Sequence, residues 1–174
     1  ANGGNTTFTD VSTDPFNGMT HSGGPDRENS GILLFSSGVD RSIAYDLTPE
    51  TQDWSDYDWL SFRVAQGTRS PETTAFLGDL HFHVRLVDQD GDTVEMSTAA
   101  IEAGIEEPYQ RGGCGEGVGW NNEYETVRMG LRGFRSIEPE LDLDRLARLE
   151  FLFGPSWGEA TGRLALDGIE VVRN

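Results

Sequence analysis

Asp167 is the residue of this chain whose position most needs a chemical reason. It sits inside G-R-L-A-L-D-G-I-E-V-V, a closing segment whose Leu164, Leu166, Ile169 and Val171 alternate as a β-strand should, at a point where that strand should be dry. Three arrangements spare the carboxylate the cost of an unpaired dry charge: a bound hard cation, an arginine partner, or exposed placement at a bulge. His81 and His83, two apart in L-H-F-H-V-R-L-V, have a spacing that can grip a transition metal. A zinc site needs a third ligand, and the neighbouring Arg85 adds repulsive charge. Gly154-Pro155-Ser156-Trp157-Gly158 matches the G-x-S-x-G nucleophile pattern, which works only between a strand and a helix, with an acid and then a histidine later in the chain. Here His21, His81 and His83 all precede it, so the segment reads as a Gly/Pro loop. Its Trp157 is an aromatic that can stack on a sugar ring or cover the edge of a core. Cys114, the single cysteine, lies in a glycine-rich stretch with no histidine nearby in sequence. It can form no intramolecular disulfide and lacks the base a reactive thiol needs.

The elements that position these residues are strands. Twenty-two glycines, seven prolines and many short alternating segments between turn residues argue for an all-β sandwich. The candidate strands are 31–36, 41–47, 59–65, 80–88, 93–97, 124–131, 146–153 and 163–172. Between Val87 and Val94 the run D-Q-D-G-D holds an Asp-Gly pair flanked by apolar alternation, which predicts an antiparallel hairpin; for an EF-hand loop its glycine comes too early. Two long loops, 66–78 and 99–122, are placed to flank one end of a sandwich. The only helical hint is a turn at 141–145, capped by Asp142 or Asp144.

Alternation divides each strand into an inner and an outer row. Phe82, Val84 and Leu86 point inward, with His81, His83 and Arg85 opposite. Leu60, Phe62 and Val64 are inner and Arg63 outer; Val127, Met129 and Leu131 are inner and Tyr124, Thr126 and Arg128 outer. Leu149, Phe151 and Phe153 complete the core, with Arg148 and Glu150 facing away. If these outer rows lie in one sheet, they form a cationic, hydrogen-bonding surface suited to hydroxyls, carboxylates or sulfates. The competing reading is that Arg63, Arg85 and Arg128 pair across the sheet with Glu125, Glu150 and other carboxylates.

At 174 residues and 36% hydrophobic content, the chain is expected to form one domain over 1–174, excised from a larger protein. Thirty acidic residues against thirteen basic ones, all arginine, give a net charge of −17. Nucleic acid and anionic membrane are therefore poor partners, and without lysine there is no Schiff-base chemistry.

The pattern D-W-S-D-Y-D-W-L-S-F-R-V, H-V-R-L-V-D-Q-D-G, L-D-L-D-R-L-A-R-L-E-F-L-F and G-R-L-A-L-D-G-I-E-V-V resembles β-jelly-roll accessory domains of the galactose-binding-like and carbohydrate-binding-module type, appended to secreted bacterial hydrolases. The resemblance covers roughly residues 40–65, 80–97 and 124–172. It implies an antiparallel jelly-roll β-sandwich, a secreted non-catalytic domain attached to a catalytic one, and a polysaccharide or oligosaccharide ligand on a polar sheet face or loop rim. Carried over to this chain, the ligand row comprises Arg63, His81, His83, Arg85, Tyr124, Arg128 and Trp157. A structural calcium is implied at Asp167 and Asp10, with Glu28 or a backbone carbonyl near Gly31 completing the set. The alternative is a structural or protein-docking domain with no glycan ligand.

Overall fold

The computed structural model describes residues 6–9, 18–23, 29–35, 40–66, 80–101, 109–110, 120–121, 124–159 and 162–174. Among these, twelve strands run in chain order: β1 (Thr6–Thr9), β2 (Gly18–Gly23), β3 (Asn29–Phe35), β4 (Arg41–Asp46), β5 (Trp59–Gln66), β6 (His83–Asp88), β7 (Thr93–Ser97), β8 (Tyr109–Gln110), β9 (Trp120–Asn121), β10 (Glu125–Gly130), β11 (Leu146–Phe153) and β12 (Gly162–Val172). One helix, α1 (Leu131–Ile137), follows β10 directly. Two five-stranded sheets, ordered β1-β4-β11-β6-β7 and β10-β5-β12-β3-β2, have only antiparallel neighbours. The first sheet thus contains β11 at its centre and the second sheet β12. The expected all-β sandwich is the observed architecture.

The apolar rows meet between the sheets. Phe62 of the second sheet meets Phe151 of the first edge-to-face, with ring centres 5.1 Å apart, and Phe82 lies 5.1 Å from Phe153. Leu60, Phe62, Val64, Phe82, Val84, Leu86, Val127, Met129, Leu149, Phe151 and Phe153 are all buried in one cluster, as alternation predicts. The edge-on meeting of Phe62 and Phe151 is a geometry favoured by the ring quadrupole, whereas Phe82 and Phe153 meet at a tilt.

The D-Q-D-G-D run forms its hairpin: β6 pairs with β7, and Gly91 takes a φ of 93°. Asp88 fastens the turn from beneath. Its Oδ1 accepts from the backbone N–H groups of Asp92 (2.9 Å) and Asp90 (3.0 Å), and its Oδ2 from that of Asp142 (3.0 Å). Burial alone pushes this carboxyl upward, but the backbone donors of Asp142, Asp92, Asp90 and Gly91 outweigh it and hold the group below the usual aspartate range.

The expected turn within 141–145 is present, at residues 143–144. The helix lies elsewhere, at Leu131–Ile137, and it corrects the strand expected over 124–131 at its last residue, Leu131. Its sequence, L-R-G-F-R-S-I, carries a glycine and no side-chain cap, so local propensity does not specify it. Burial of Leu131 and Phe134 does, because short helices draw their stability from packing. No helix among the described residues is long and apolar enough to cross a membrane. Cys114 and most of both long loops lie outside the described residues.

Candidate functional site

The residues expected to form one surface divide between two. His83 and Arg85 lie on β6, on the outer face of the first sheet, with half-buried His81 just before them. Arg63 and Arg128 lie on the outer face of the second sheet, on β5 and β10, and Tyr124 immediately precedes β10. The single cationic surface is thus corrected to two opposite ones. Alternation decides which side of its own sheet a residue takes; it does not decide which sheet its strand joins.

On the first sheet the charged groups close into a ladder across four strands. Arg148 on β11 donates through Nε to Asp46 of β4 at 2.7 Å, and its Nη1 stands 3.6 Å from Glu150 Oε1. Glu150 Oε2 accepts from Arg85 Nη1 at 2.8 Å. Arg85 also donates to Glu95 Oε1 of β7, through Nε at 2.8 Å and through Nη2. His83 Nδ1 stands 3.5 Å from Glu95 Oε2. The register explains the ladder, because Ala44, Glu150, Arg85 and Glu95 align across β4, β11, β6 and β7.

Electrostatics follow the geometry. Burial pulls the Arg85 guanidinium down, yet Glu95 and Glu150 outweigh it and hold the group above its ordinary value. For Glu95, burial pushes upward, and the Arg85 hydrogen bonds and charge win, holding the carboxyl below the usual glutamate range. Hydrogen bonding to Asp46 likewise raises Arg148. The face is shielded as well as paired, the Glu150 side chain being only 13% exposed.

The Gly/Pro loop 154–159 bends over this face. The Trp157 ring lies 5.9 Å from the Arg85 guanidinium carbon, within cation–π range. Three contacts fix the loop. Ser156 donates from its backbone N–H (3.1 Å) and its hydroxyl (2.7 Å) to the Asp40 carboxylate. Glu159 Oε2 accepts from the His81 backbone N–H at 2.6 Å. Gly158, at φ 150°, packs so closely on the His81 carbonyl that any side chain there would collide with backbone. Ser156 is thus occupied in holding the loop, with its hydroxyl proton directed to Asp40.

On the second sheet, Arg63 lies over Tyr124, its guanidinium carbon 5.0 Å from the ring centre. Neither Arg63 nor Arg128 forms an ion pair with a carboxylate among the described residues. Asp167 is half-buried on the outer side of β12, opposite Arg63 in register, where a bulge shifts the pairing between Asp167 and Glu170. Gly168, next in the chain, has a φ of 56° and donates its N–H to Asp167 Oδ1 at 2.7 Å. Its place beside a bulge matches one of the three arrangements offered for this carboxylate. Asp10 and Glu28 lie outside the described residues, and among those described no group of three potential metal ligands occurs.

Sequence reasoning missed Glu95 and Asp46. Glu95 was within reach, because counting outward from the Asp-Gly turn sets it across from Arg85; Asp46 required knowing that β4 and β11 are neighbours.

Comparison with known proteins turns on this arrangement of sheets. No protein-family model and no curated protein matches the sequence. Solved structures do. The fold is that of carbohydrate-binding modules. A family 30 carbohydrate-binding module superposes with a TM-score of 0.63 at 13% identity, covering 94% of this chain and 77% of that one. A family 11 module from Clostridium thermocellum, in complex with a β-1,3-1,4-mixed-linked tetrasaccharide, gives 0.60 at 12% identity over 99% of this chain and 90% of that one. An exo-β-agarase gives 0.57 at 14% identity, with 98% of this chain covering 23% of the agarase. The antiparallel jelly-roll sandwich is therefore shared with modules of this class.

Proposed function

We propose that this chain is a non-catalytic accessory domain that binds polysaccharide, on the outer face of the first sheet, across Arg85, Glu95, Glu150, Arg148 and His83 and beside Trp157. The observation that carries the reading is the interlocked, half-shielded ladder with an aromatic ring fixed at its edge. Mutual pairing does not exhaust these groups. A guanidinium has five N–H donors and a carboxylate about four acceptor positions, so donors and acceptors remain for sugar hydroxyls. Pairing also fixes the rotamers in advance, which lowers the ordering cost of binding. Trp157 supplies the flat apolar surface that the C–H face of a pyranose requires. The sandwich shared with a module seen holding a tetrasaccharide supports the same reading.

Affinity electrophoresis through gels containing β-1,3-1,4-glucan, cellulose derivatives or agarose tests it. The wild type is retarded in at least one gel, and Arg85→Ala and Trp157→Ala, checked for folding by circular dichroism, are retarded less. Free migration in every gel would favour the alternative, a structural or protein-docking domain. Turnover of any glycan by the isolated chain would overturn the non-catalytic reading.

Secretion and attachment to a catalytic hydrolase are part of the same proposal, supported by the match to a segment of an agarase. Calcium, tied by the resemblance to Asp10, Glu28 and Asp167, is proposed as a structural ligand on that resemblance alone. A ligand bound only to the native state raises the melting midpoint, so addition of calcium after chelation should raise it by several degrees. An unchanged midpoint removes calcium from the account.

A further inference from the structure

The outer face of the second sheet holds an aromatic platform that the proposed site does not use. Trp59 opens β5, and its indole lies against Gly130 of the neighbouring β10: a Cβ at position 130 would stand 3.5 Å from Cζ3 and 3.8 Å from Cε3 of the ring. The indole thus lies within van der Waals reach of the strand at 130, at a distance that a methyl group there would also accept. The indole Nε1–H donates to Asn174 Oδ1 at 3.0 Å, which holds the ring by one edge. Trp59 is half-buried yet belongs to no part of the core cluster. Among the described residues, no other ring and no guanidinium covers its second face.

Two residues further along β5, the register sets Arg128, buried Ser61 and Glu170 in a row across β10, β5 and β12. Arg128 and Glu170 stand two strand spacings apart, about 10 Å, and do not pair with each other. A donor and an acceptor left unsatisfied by one another, beside a fixed apolar ring, match a pyranose, whose hydroxyls both donate and accept and whose C–H face stacks on an indole. The net charge of −17 and Glu170 itself disfavour an anionic polymer.

We propose that Trp59, with Arg128 and Glu170, forms a second sugar-binding site for an uncharged polysaccharide, on the face opposite the Trp157–Arg85 ladder. It shares the ligand class of the proposed function and rests on different residues. With the two sites back to back across one core, a single domain bridges two polysaccharide strands.

The chain has four tryptophans, so its indole N–H resonances in an isotope-labelled sample are few enough to assign with Trp59→Phe and Trp157→Phe variants. Titration with a β-1,3-1,4-linked glucotetraose and with an agarotetraose is the test. The Trp59 resonance moves saturably with at least one of them, and still does so in Trp157→Ala. Arg128→Ala weakens that titration about two- to tenfold, whereas Trp59→Tyr preserves retention on the polysaccharide gel through Trp157→Ala. A Trp59 resonance that stays fixed while that of Trp157 moves overturns this site and leaves the first intact. Movement of Trp59 alone upholds this site and overturns the first, and no movement of either overturns both.

Discussion

The two outer faces are built from the same residue types and use them differently. On the first sheet, the two guanidiniums of Arg85 and Arg148 meet the three carboxylates of Glu95, Glu150 and Asp46, so most of the charge is neutralised locally and the side chains are fixed. On the second, Arg63 lies on Tyr124, and Arg128 has no carboxylate partner among the described residues. Register makes the difference. Where it aligns opposite charges on adjacent strands, a floor of oriented donors and acceptors forms; where the opposite charges fall two strands apart, as Arg128 and Glu170 do, they stay separate. A polar sheet face gains fixed donors and acceptors where its charges organise one another, and relies on a fixed ring beside separate charges where they do not.

The largest effect comes from breaking what both faces share. Phe151→Ala removes a ring that packs on Phe62 across the sandwich and on Tyr45 and Phe82 beside it. A loss of about 3–5 kcal/mol in urea unfolding is expected, with sugar binding lost on both faces as the fold loosens.

Arg85→Ala separates the faces. It leaves half-buried Glu150 and Glu95 without their main donor, so a stability loss of about 1–2 kcal/mol is expected by the same assay. Binding at the first face falls while the Trp59 indole resonance keeps its sugar response.

Acid sharpens the contrast. The Glu95 carboxyl is held below its ordinary value in the folded chain, so its contribution is present above the ordinary glutamate range, near pH 4, and is lost as pH falls through the lowered value. The stability gap between wild type and Glu95→Gln is expected at about 0.5–1 kcal/mol at pH 7 and should close below about pH 4 in urea titrations. A gap that stays constant down to pH 3 would mean that Glu95 contributes by shape rather than by charge.

These variants also show how far the sequence could be read. The rows Leu60-Phe62-Val64, Phe82-Val84-Leu86 and Leu149-Phe151-Phe153 carried the core, because alternation is local and each row has a period of two. The Asp-Gly turn carried the β6–β7 hairpin for the same reason. Sheet membership was not legible, since β11 finds β4 and β6 across long separations in sequence, and the guanidiniums were accordingly grouped as one surface instead of two. Helix α1 was missed because Leu131 and Phe134 are helical by packing against the core, against the preference of Gly133. Trp59 went unremarked because its neighbour Gly130, seventy-one positions away in the chain, is adjacent only through the β5–β10 pairing.

The smallest effect belongs to the second face. Arg128→Ala removes an exposed guanidinium with no ion pair among the described residues, so stability in urea should change by less than about 0.5 kcal/mol. A larger loss would show that the charges of this face support the fold as those of the other do.

A crystal structure of the domain with an oligosaccharide from whichever polysaccharide retards it tests the central claim most directly. A sugar ring is expected against Trp157, with hydroxyls hydrogen-bonded to Arg85 and to Glu95 or Glu150. Saturating oligosaccharide that leaves the first sheet's outer face bare, whether or not Trp59 is covered, would contradict it.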